Sequence, residues 1–266
     1  MALFASTFTA SNDFVVLVDT LPTLMSCIEA ISQTSSLAVD LEGIDLCRSG
    51  TLCIMQLKAK DNDTVWLVDV VALGANVFNE AASDGTTLKA ILESQNITKL
   101  FYDVRNDSDA LYNLFGISLA NVYDLQLLEL TFRATRPGST RAPRFLTGLL
   151  RALEEHVAPT KSLAVTRRWT RIKEAGLKLF APDKGGRYEV FAERPLAQEL
   201  IEYCAQDVAF LHDLDAAMRS RVGTTTYARG NWEQRIRAES MVRVGYSRQR
   251  YYVARGPEKA IAPANW

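Results

Sequence analysis

The chain has 266 residues, of which 48% are hydrophobic and 23% are charged, and its formal net charge is −1. These proportions are those of a globular protein, and the length suits one large domain or one domain with an extension. No apolar run is long enough to span a membrane, which excludes membrane-spanning proteins. There is no basic segment followed by a long apolar run at the start, and the four cysteines lack metal-site spacing. We therefore expect an intracellular protein without a secretory signal, either cytoplasmic or nuclear.

The small net charge conceals an uneven distribution. Residues 1–130 carry 6 Lys or Arg against 17 Asp or Glu, whereas residues 131–173 carry 10 against 2 and residues 219–255 carry 9 against 2. The basic segments consist mainly of Arg, whose guanidinium forks onto phosphate oxygens. An acidic half beside basic segments predicts metal ions on one side and a polyanion on the other. The alternative is that these arginines lie on solvated loops and helix faces.

The hydrophobic pattern predicts strands interleaved with helices, followed by a helical section. The predicted strands are 14–19, 36–42, 51–59, 64–70, 99–103 and 121–124. The predicted helices are 21–33, 86–94, 106–117, 126–134, 145–156, 162–180, 196–221 and 231–244. Short segments between the second, third and fourth strands suit antiparallel hairpins. The result is a mixed sheet covered by helices, which is an α/β fold class.

The second predicted strand, SLAVDLE, contains two acids on one face. Side chains alternate along a strand, so Leu37, Val39 and Leu41 point one way into a core while Asp40 and Glu42 point the other way. The two carboxylates are then only about 7 Å apart along the strand. Because they repel each other and are costly to bury, this pair needs a functional explanation.

A third acid lies on the apolar stripe of the late helix. Asp207 has the helical spacing of the core-facing residues Leu200, Cys204 and Leu211, and Tyr203 is one turn before it on the same face. Buried acids are almost always paired. The alternative is an Asp satisfied within the core or at the edge of the stripe.

A fourth acid begins the helix in DVRNDSDALYNLFGI. Asp107 precedes the apolar Leu111 by four residues, which places it at the start of the inward face. Asp109 and Asn113 fall on another face, and we expect them to be solvated. The alternative for Asp107 is an acid that merely complements the helix macrodipole.

If these four carboxylates converge, their repulsion requires cations. Hard oxygen ligands favour Mg²⁺ or Mn²⁺. Two such ions about 4 Å apart form the clamp used for in-line displacement at a phosphodiester. The basic segments would then hold the polyanion whose phosphate enters the clamp.

These residues resemble the DEDD superfamily of 3′–5′ exonucleases, on the ribonuclease D and Werner-exonuclease side. The first motif is VDLEG, followed by the strand TLCIMQL with Gln56; in the second, Asp107 precedes Leu111 by four positions and Gly116 by nine. The third motif is YCAQD, with RPL at 194–196 before it, and its tyrosine is typical of the DEDDy subgroup. The second motif is nearest to the egalitarian-like and EXD1-like branch. Some members of that branch have lost catalytic acids, whereas this chain keeps all of them.

The resemblance spans about residues 14–218 and implies a ribonuclease H-like (DnaQ-like) fold, with a mixed sheet flanked by helices and a helical C-terminal section. It implies a 3′–5′ exonuclease domain at 1–220. A basic-aromatic extension at 221–266 would pack on or next to that domain. The implied activity is metal-dependent hydrolysis of nucleic acid from the 3′ end to nucleoside 5′-monophosphates by a two-metal mechanism.

The resemblance also implies catalytic roles for Asp40, Glu42, Asp107, Tyr203 and Asp207. Asp40, Glu42 and Asp207 would hold one divalent cation, Mg²⁺ or Mn²⁺, and Asp40 with Asp107 the second. Tyr203 would hydrogen-bond the attacking water, since its usual pKa near 10 favours orientation over base catalysis. The expected partner is single-stranded RNA or DNA with a free 3′ end, and no membrane.

A rival interpretation is a catalytically weak or inactive exonuclease-fold protein that binds RNA or acts as a scaffold. A further interpretation, which is compatible with nuclease activity, is a scaffold whose C-terminal tail (residues 245–266) contacts a protein partner.

Arginines interleaved with aromatic residues are typical of single-strand binding, through phosphate contacts and base stacking. We predict that Arg167, Arg168 and Arg171, beside Trp169, flank the path of a nucleic-acid strand. The competing interpretation makes Trp169 a core residue and the arginines a solvated helix face.

Overall fold

A computed structural model describes residues 14–136, 138, 143–222, 226–264 and 266, with the backbone alone at 226–230. In this part of the chain six strands form one sheet. They are β1 (Phe14–Val18), β2 (Ser36–Ile44), β3 (Thr51–Ala59), β4 (Thr64–Asp69), β5 (Thr98–Phe101) and β6 (Val122–Asp124), in the order β1-β4-β3-β2-β5-β6. β3 lies between β2 and β4 and is antiparallel to both. β1 pairs with β4 in parallel on one side, and β5 and then β6 extend the other side of the sheet in parallel with β2. The predicted mixed sheet and its hairpins are confirmed.

The described α-helices cover both faces of the sheet and make up most of the C-terminal part. They are α1 (Leu21–Ile31), α2 (Val70–Leu73), α3 (Leu88–Glu93), α4 (Arg105–Phe115), α5 (Leu125–Ala134), α6 (Leu149–His156), α7 (Leu163–Phe180), α8 (Gln198–Ala209), α9 (Leu211–Arg219) and α10 (Thr226–Gly245). None of the described helices combines the length and apolar character needed to cross a bilayer.

The prediction of one helix over 196–221 is wrong, because the chain leaves helical geometry at Phe210 (φ −110°, ψ 4°) between α8 and α9. Lys58 of β3 donates a hydrogen bond to the carbonyl of Ala209 at 3.2 Å, so this oxygen is satisfied outside the helix. Phe210 is buried and its ring centroid lies 5.5 Å from that of Trp169. The break thus serves a contact between α7 and the end of α8.

The sheet separates two apolar cores, and β2 contributes to both. Leu37, Val39 and Leu41 are buried in the core shared with α1, α3 and α4, as predicted. The opposite face of β2 packs under α8, and Asp40 and Glu42 lie on that face. The alternation of a single strand therefore places its two acids beneath the late helix.

The register of β2 and β3 fixes the neighbours of the acids. Asp40 is directly opposite Gln56, and the pairing shifts between Glu42 and Gly43. At Gly43 a Cβ atom would lie 1.9 Å from the carbonyl oxygen of Thr51, so a glycine is required where the two backbones approach. This irregularity shifts the register just after the second acid, and the pairing then continues with Gly43 opposite Leu52.

The C-terminal residues contact the sheet and its helices. α10 packs against β6 and α5. The indole rings of Trp232 and Trp266 lie 5.8 Å apart, and Trp266 is buried in the core shared with α5–α9. The domain boundary at residue 220 stays a prediction.

Candidate metal centre

Three of the predicted carboxylates meet at one point. Asp40 and Glu42 from β2 and Asp207 from α8 each offer an oxygen, and these oxygens lie within 4.8 Å of one another. Asp207 is 4% exposed, and the other two are partly buried. Side-chain alternation places Asp40 and Glu42 on one face of β2, and helical spacing places Asp207 on the facing side of α8. The three acids therefore meet at one site.

The fourth acid, Asp107, lies beside this group in the first turn of α4 and is buried. The carboxylate of Asp124 fixes the start of that helix, because it accepts hydrogen bonds from the backbone N–H groups of Asp103 (2.9 Å) and Val104 (3.2 Å). Burial raises the pKa of Asp107 well above its ordinary value, and the charge of Asp40 adds to this effect. Asp107 is therefore close enough for the charges of the cluster to affect its pKa, although its carboxylate is not among the three whose oxygens meet.

The cluster is electrostatically unfavourable without a cation. Burial and then the charge of Asp207 raise the pKa of Asp40 to about 8. Burial and the charge of Asp40 raise the pKa of Glu42 well above its ordinary value. Burial also raises the pKa of Asp207. Carboxylates in this state bind either protons or positive charge.

Lys173 of α7 enters the cluster, and sequence reasoning missed it. Its Nζ atom forms an ion pair with Oδ1 of Asp207 and lies 4.0 Å from the ring centroid of Tyr203. The side chain is 7% exposed. A signal was available, since the buried residues of α7 repeat at helical spacing and include the lysine: Trp169, Ile172, Lys173, Gly176 and Phe180.

Tyr203 is partly buried between α7 and α8. The ring of Phe180 meets it edge-on at 4.9 Å. A Cβ atom at Gly176 would lie 2.5–2.6 Å from carbon atoms of Tyr203, so the glycine provides the space that the tyrosine occupies. Burial, followed by the charge of Asp207, raises the pKa of Tyr203 well above 10. The hydroxyl therefore stays protonated near neutral pH.

The residues present fit a divalent cation. The ligand atoms are carboxylate oxygens, which Mg²⁺ and Mn²⁺ prefer. Oδ2 of Asp207 is buried without a hydrogen-bond partner among the described residues, and so are both amide atoms of Gln56, opposite Asp40 in the sheet. Buried polar atoms left unpaired are costly, which indicates that a ligand or ordered solvent belongs here.

Comparison with known proteins identifies the family. A family model described as 3′-5′ exonuclease matches residues 15–223. The chain belongs to the 3′–5′ exonuclease family. The resemblance drawn from its motifs is thereby confirmed.

Relatives of this exonuclease-family chain include the piRNA biogenesis protein EXD1 of Mus musculus, which is 30% identical over 72% of this chain and 30% of its own length. The match spans 30% to 55% of the length of these curated relatives. Among solved structures, the Trypanosoma brucei RNase D:GMP complex has a TM-score of 0.67 at 21% identity and covers 94% of this chain and 67% of that one. Escherichia coli RNase D has a TM-score of 0.61 at 21% identity, covering 89% of this chain and 51% of that one. These similarities confirm the ribonuclease H-like fold.

The predicted nucleic-acid residues of this exonuclease-family chain divide between two sides of α7. Arg167 and Arg171 are exposed and line an open pocket of about 430 Å³ together with Thr166, Thr170 and Glu174. Arg168 is partly buried and is not among the residues that line this pocket. Trp169 is 3% exposed and packs on Phe210, so it cannot stack on a base. The prediction for Trp169 is therefore wrong and the core interpretation is correct.

The expectation that Asp109 is solvated is also wrong. Asp109 is fully buried and accepts hydrogen bonds from Arg48, with Nη2 at 2.6 Å from Oδ1 and the backbone N–H at 2.7 Å from Oδ2. Arg48 precedes it by 61 residues, so local periodicity held no sign of this partner. The pair ties the loop between β2 and β3 to α4, the helix that carries Asp107.

Proposed function

We propose that this protein is an active 3′–5′ exonuclease that degrades single-stranded nucleic acid to nucleoside 5′-monophosphates. The observation that carries the proposal is the meeting of Asp40, Glu42 and Asp207 within 4.8 Å, with Asp107 beside them. Such a cluster destabilises the fold unless protons or cations neutralise its charge, and a divalent cation is the neutralising group that we propose. The family of the chain supplies the reaction class.

In this proposal Asp40, Glu42 and Asp207 hold one divalent cation, and Asp40 with Asp107 holds the second. A divalent cation held by these carboxylates would lower the pKa of bound water and neutralise charge on the phosphate. The carboxylates would hold the cation at a fixed place relative to the sheet, because β2 and α8 form part of the folded core. Their raised pKa values mean that protons compete for the same oxygens.

Tyr203 orients the attacking water by donating a hydrogen bond to it. Its raised pKa argues against a role as general base, because the phenol does not lose its proton near neutral pH. The hydroxyl is placed by the packing of the ring between Phe180 and the space at Gly176. The residue thus contributes orientation, and the carboxylates contribute charge.

RNA is the substrate class we propose. The curated relatives carry names that refer to piRNA. The exposed Arg167 and Arg171 provide positive charge for the backbone of a strand. Single-strand binding by stacking and phosphate contacts suits both polymers, so DNA is the matched comparison.

Matched RNA and DNA oligonucleotides, with free or phosphate-blocked 3′ ends, test this proposal in Mg²⁺, Mn²⁺ or EDTA. We expect stepwise shortening of RNA with a free 3′ end and release of nucleoside 5′-monophosphates, both abolished by EDTA. Cleavage that ignores the 3′ block, or 3′-monophosphate products, would contradict the proposal.

A second candidate is an exonuclease-fold protein that binds RNA without cleaving it. The ion pair between Lys173 and Asp207 favours it, because a lysine that occupies the carboxylate cluster is compatible with a site that never binds metal. Binding of RNA with no cleavage in either metal would select this candidate.

A further inference from the structure

Lys173 is a buried cation that the proposed reaction does not use. Its ammonium pairs with Oδ1 of Asp207 and lies over the ring of Tyr203. The carboxylate oxygens of Asp40, Glu42 and Asp207 lie within 4.8 Å of one another, so the ammonium that pairs with Asp207 lies next to the entire cluster. The lysine contributes one positive charge to a group of three carboxylates.

We propose that Lys173 is the internal counter-ion of the carboxylate cluster and that it sets the affinity of the site for divalent cations. This inference rests on the proposed function. A cation that takes Asp207 as a ligand must break the ion pair with Lys173. The lysine therefore stabilises the metal-free protein and competes with the metal.

The charge balance supports competition rather than permanent replacement. When all three carboxylates are ionised to bind a metal, they and one ammonium carry a net charge of about −2, which a divalent cation would neutralise. Oδ2 of Asp207 has no partner among the described residues, so the lysine satisfies only half of that carboxylate. The site with lysine alone is incomplete in both charge and hydrogen bonding.

The position of Lys173 is enforced by α7. Trp169 and Ile172, on the same stripe, are buried, and the glycine at 176 brings this helix into contact with Tyr203 of α8. The lysine is thus held between two packed helices, and its stem cannot simply turn into solvent. Its distance from the cluster is a property of the fold rather than of a mobile surface side chain.

The direct test is the dissociation constant of Mn²⁺, measured by calorimetry on the full chain. We expect Lys173→Met to lower the dissociation constant of Mn²⁺ by about tenfold or more, because a positive charge next to the site is removed. Lys173→Arg keeps the charge and should stay near wild type. Lys178→Met is the matched control, since Lys178 is exposed on the same helix. Damage to the fold would instead raise the dissociation constant of Mn²⁺, because it weakens metal binding.

Two further measurements make each outcome decisive. In EDTA, Lys173→Met should melt at a lower temperature than wild type, and saturating Mn²⁺ should close that gap. In the wild-type protein, the ¹⁵N resonance of the Lys173 ammonium, assigned with Lys173→Arg, should shift as Mg²⁺ saturates the site. This second measurement requires no folded Lys173→Met protein.

The inference is overturned if Lys173→Met, shown to be folded by circular dichroism, binds Mn²⁺ no more tightly than wild type, or if the lysine resonance of wild type does not respond to saturating Mg²⁺. Asp207→Asn separates this failure from failure of the proposed function. If Asp207→Asn loses Mn²⁺ binding while Lys173→Met leaves it unchanged, the metal site stands and the role of the lysine is wrong. If Asp207→Asn binds Mn²⁺ like wild type, the metal site itself is wrong.

Discussion

Nη1 of Arg243 in α10 donates a hydrogen bond to Oδ2 of Asp124 at 2.7 Å, and both side chains are buried. Asp124 in turn accepts the backbone N–H groups at the start of the segment that leads into α4. The C-terminal helix is therefore linked through a single carboxylate to the helix that bears Asp107.

Replacing Arg243 should destabilise the protein strongly. Arg243→Met leaves the Asp124 carboxylate buried without its counter-ion, which costs about 3–5 kcal/mol. Urea unfolding measures this loss. Arg250→Met, at an exposed arginine of the C-terminal tail, should change the free energy of unfolding by less than about 0.5 kcal/mol. Equal effects of the two substitutions would show that the buried pair does not support the fold.

Removal of residues 256–266 should lower stability rather than only nucleic-acid affinity. Ala260 and Ala262 form backbone hydrogen bonds with Leu146 and Arg144 at 2.8 and 2.9 Å, and Trp266 is buried against Trp232. Differential scanning fluorimetry of the truncated chain is the measurement. Tyr251→Ala is the control within the same tail, since Tyr251 is 81% exposed and should leave the melting temperature unchanged. A truncated chain that melts like wild type would mean that the tail is a free arm.

The metal-free protein should lose stability as pH rises. Asp40 has a pKa of about 8 in the folded chain and about 4 when unfolded, so between these values the folded state binds more protons. The free energy of unfolding in EDTA should therefore fall from pH 5 to pH 8, and Asp40→Asn should remove part of that fall. Urea unfolding at each pH gives the difference between the two proteins. A difference that does not change with pH would contradict the raised pKa.

Tyr203→Phe should slow the chemical step without weakening metal binding. The hydroxyl is the only group removed, and losing a positioning group of this kind reduces the rate by about 10²-fold or more. Single-turnover cleavage, with the Mn²⁺ dissociation constant measured in parallel, separates the two effects. Unchanged single-turnover rates would exclude the hydroxyl from the reaction.

Gly176→Ala should act through the same tyrosine. The added Cβ would overlap the Tyr203 ring and force it to move. Because both substitutions misplace one hydroxyl, the double variant Gly176→Ala/Tyr203→Phe should be no slower than Tyr203→Phe alone. If the losses in single-turnover rate from the two substitutions add, Gly176→Ala does not act through the Tyr203 hydroxyl.

Arg167→Ala and Arg171→Ala should each weaken binding of a single-stranded oligonucleotide and flatten its salt dependence. Each lost phosphate contact reduces the slope of log K against log salt by about 0.7. Lys60→Ala is the charge control, because Lys60 is exposed just past the end of β3 that is distant from the acids. A slope equal to that of wild type in both arginine variants would move the binding surface away from α7.

The positions of the four acids and of Tyr203, together with the sheet, could be predicted because each depends on a short-range pattern. Alternation assigned Asp40 and Glu42 to one face of a strand, and the helical stripe assigned Asp207 to the inside of a helix. Burial of the apolar residues on each element then fixes which way these acids point in the fold. The prediction for Trp169 is wrong because it relied on the arginines around the tryptophan. Its position on the apolar stripe of α7 indicates a core residue.

The errors share one physical cause, which is contact between residues distant in sequence. The sequence pattern predicts a solvated Asp109 because its partner, Arg48, lies on another element. The break at Phe210 depends on Lys58 of β3. Lys173 was missed because lysines are mostly exposed, and only the assembled site shows the carboxylate that makes its burial favourable.

The most direct test of the account is Mg²⁺-dependent degradation of 3′-hydroxyl RNA by wild type, Asp40→Asn and Asp207→Asn, each shown to be folded by circular dichroism. The account predicts stepwise cleavage by wild type and none above the EDTA background by either variant, while both variants unfold cooperatively. Near-wild-type turnover by either variant would contradict the assignment of the carboxylate cluster as the catalytic metal site.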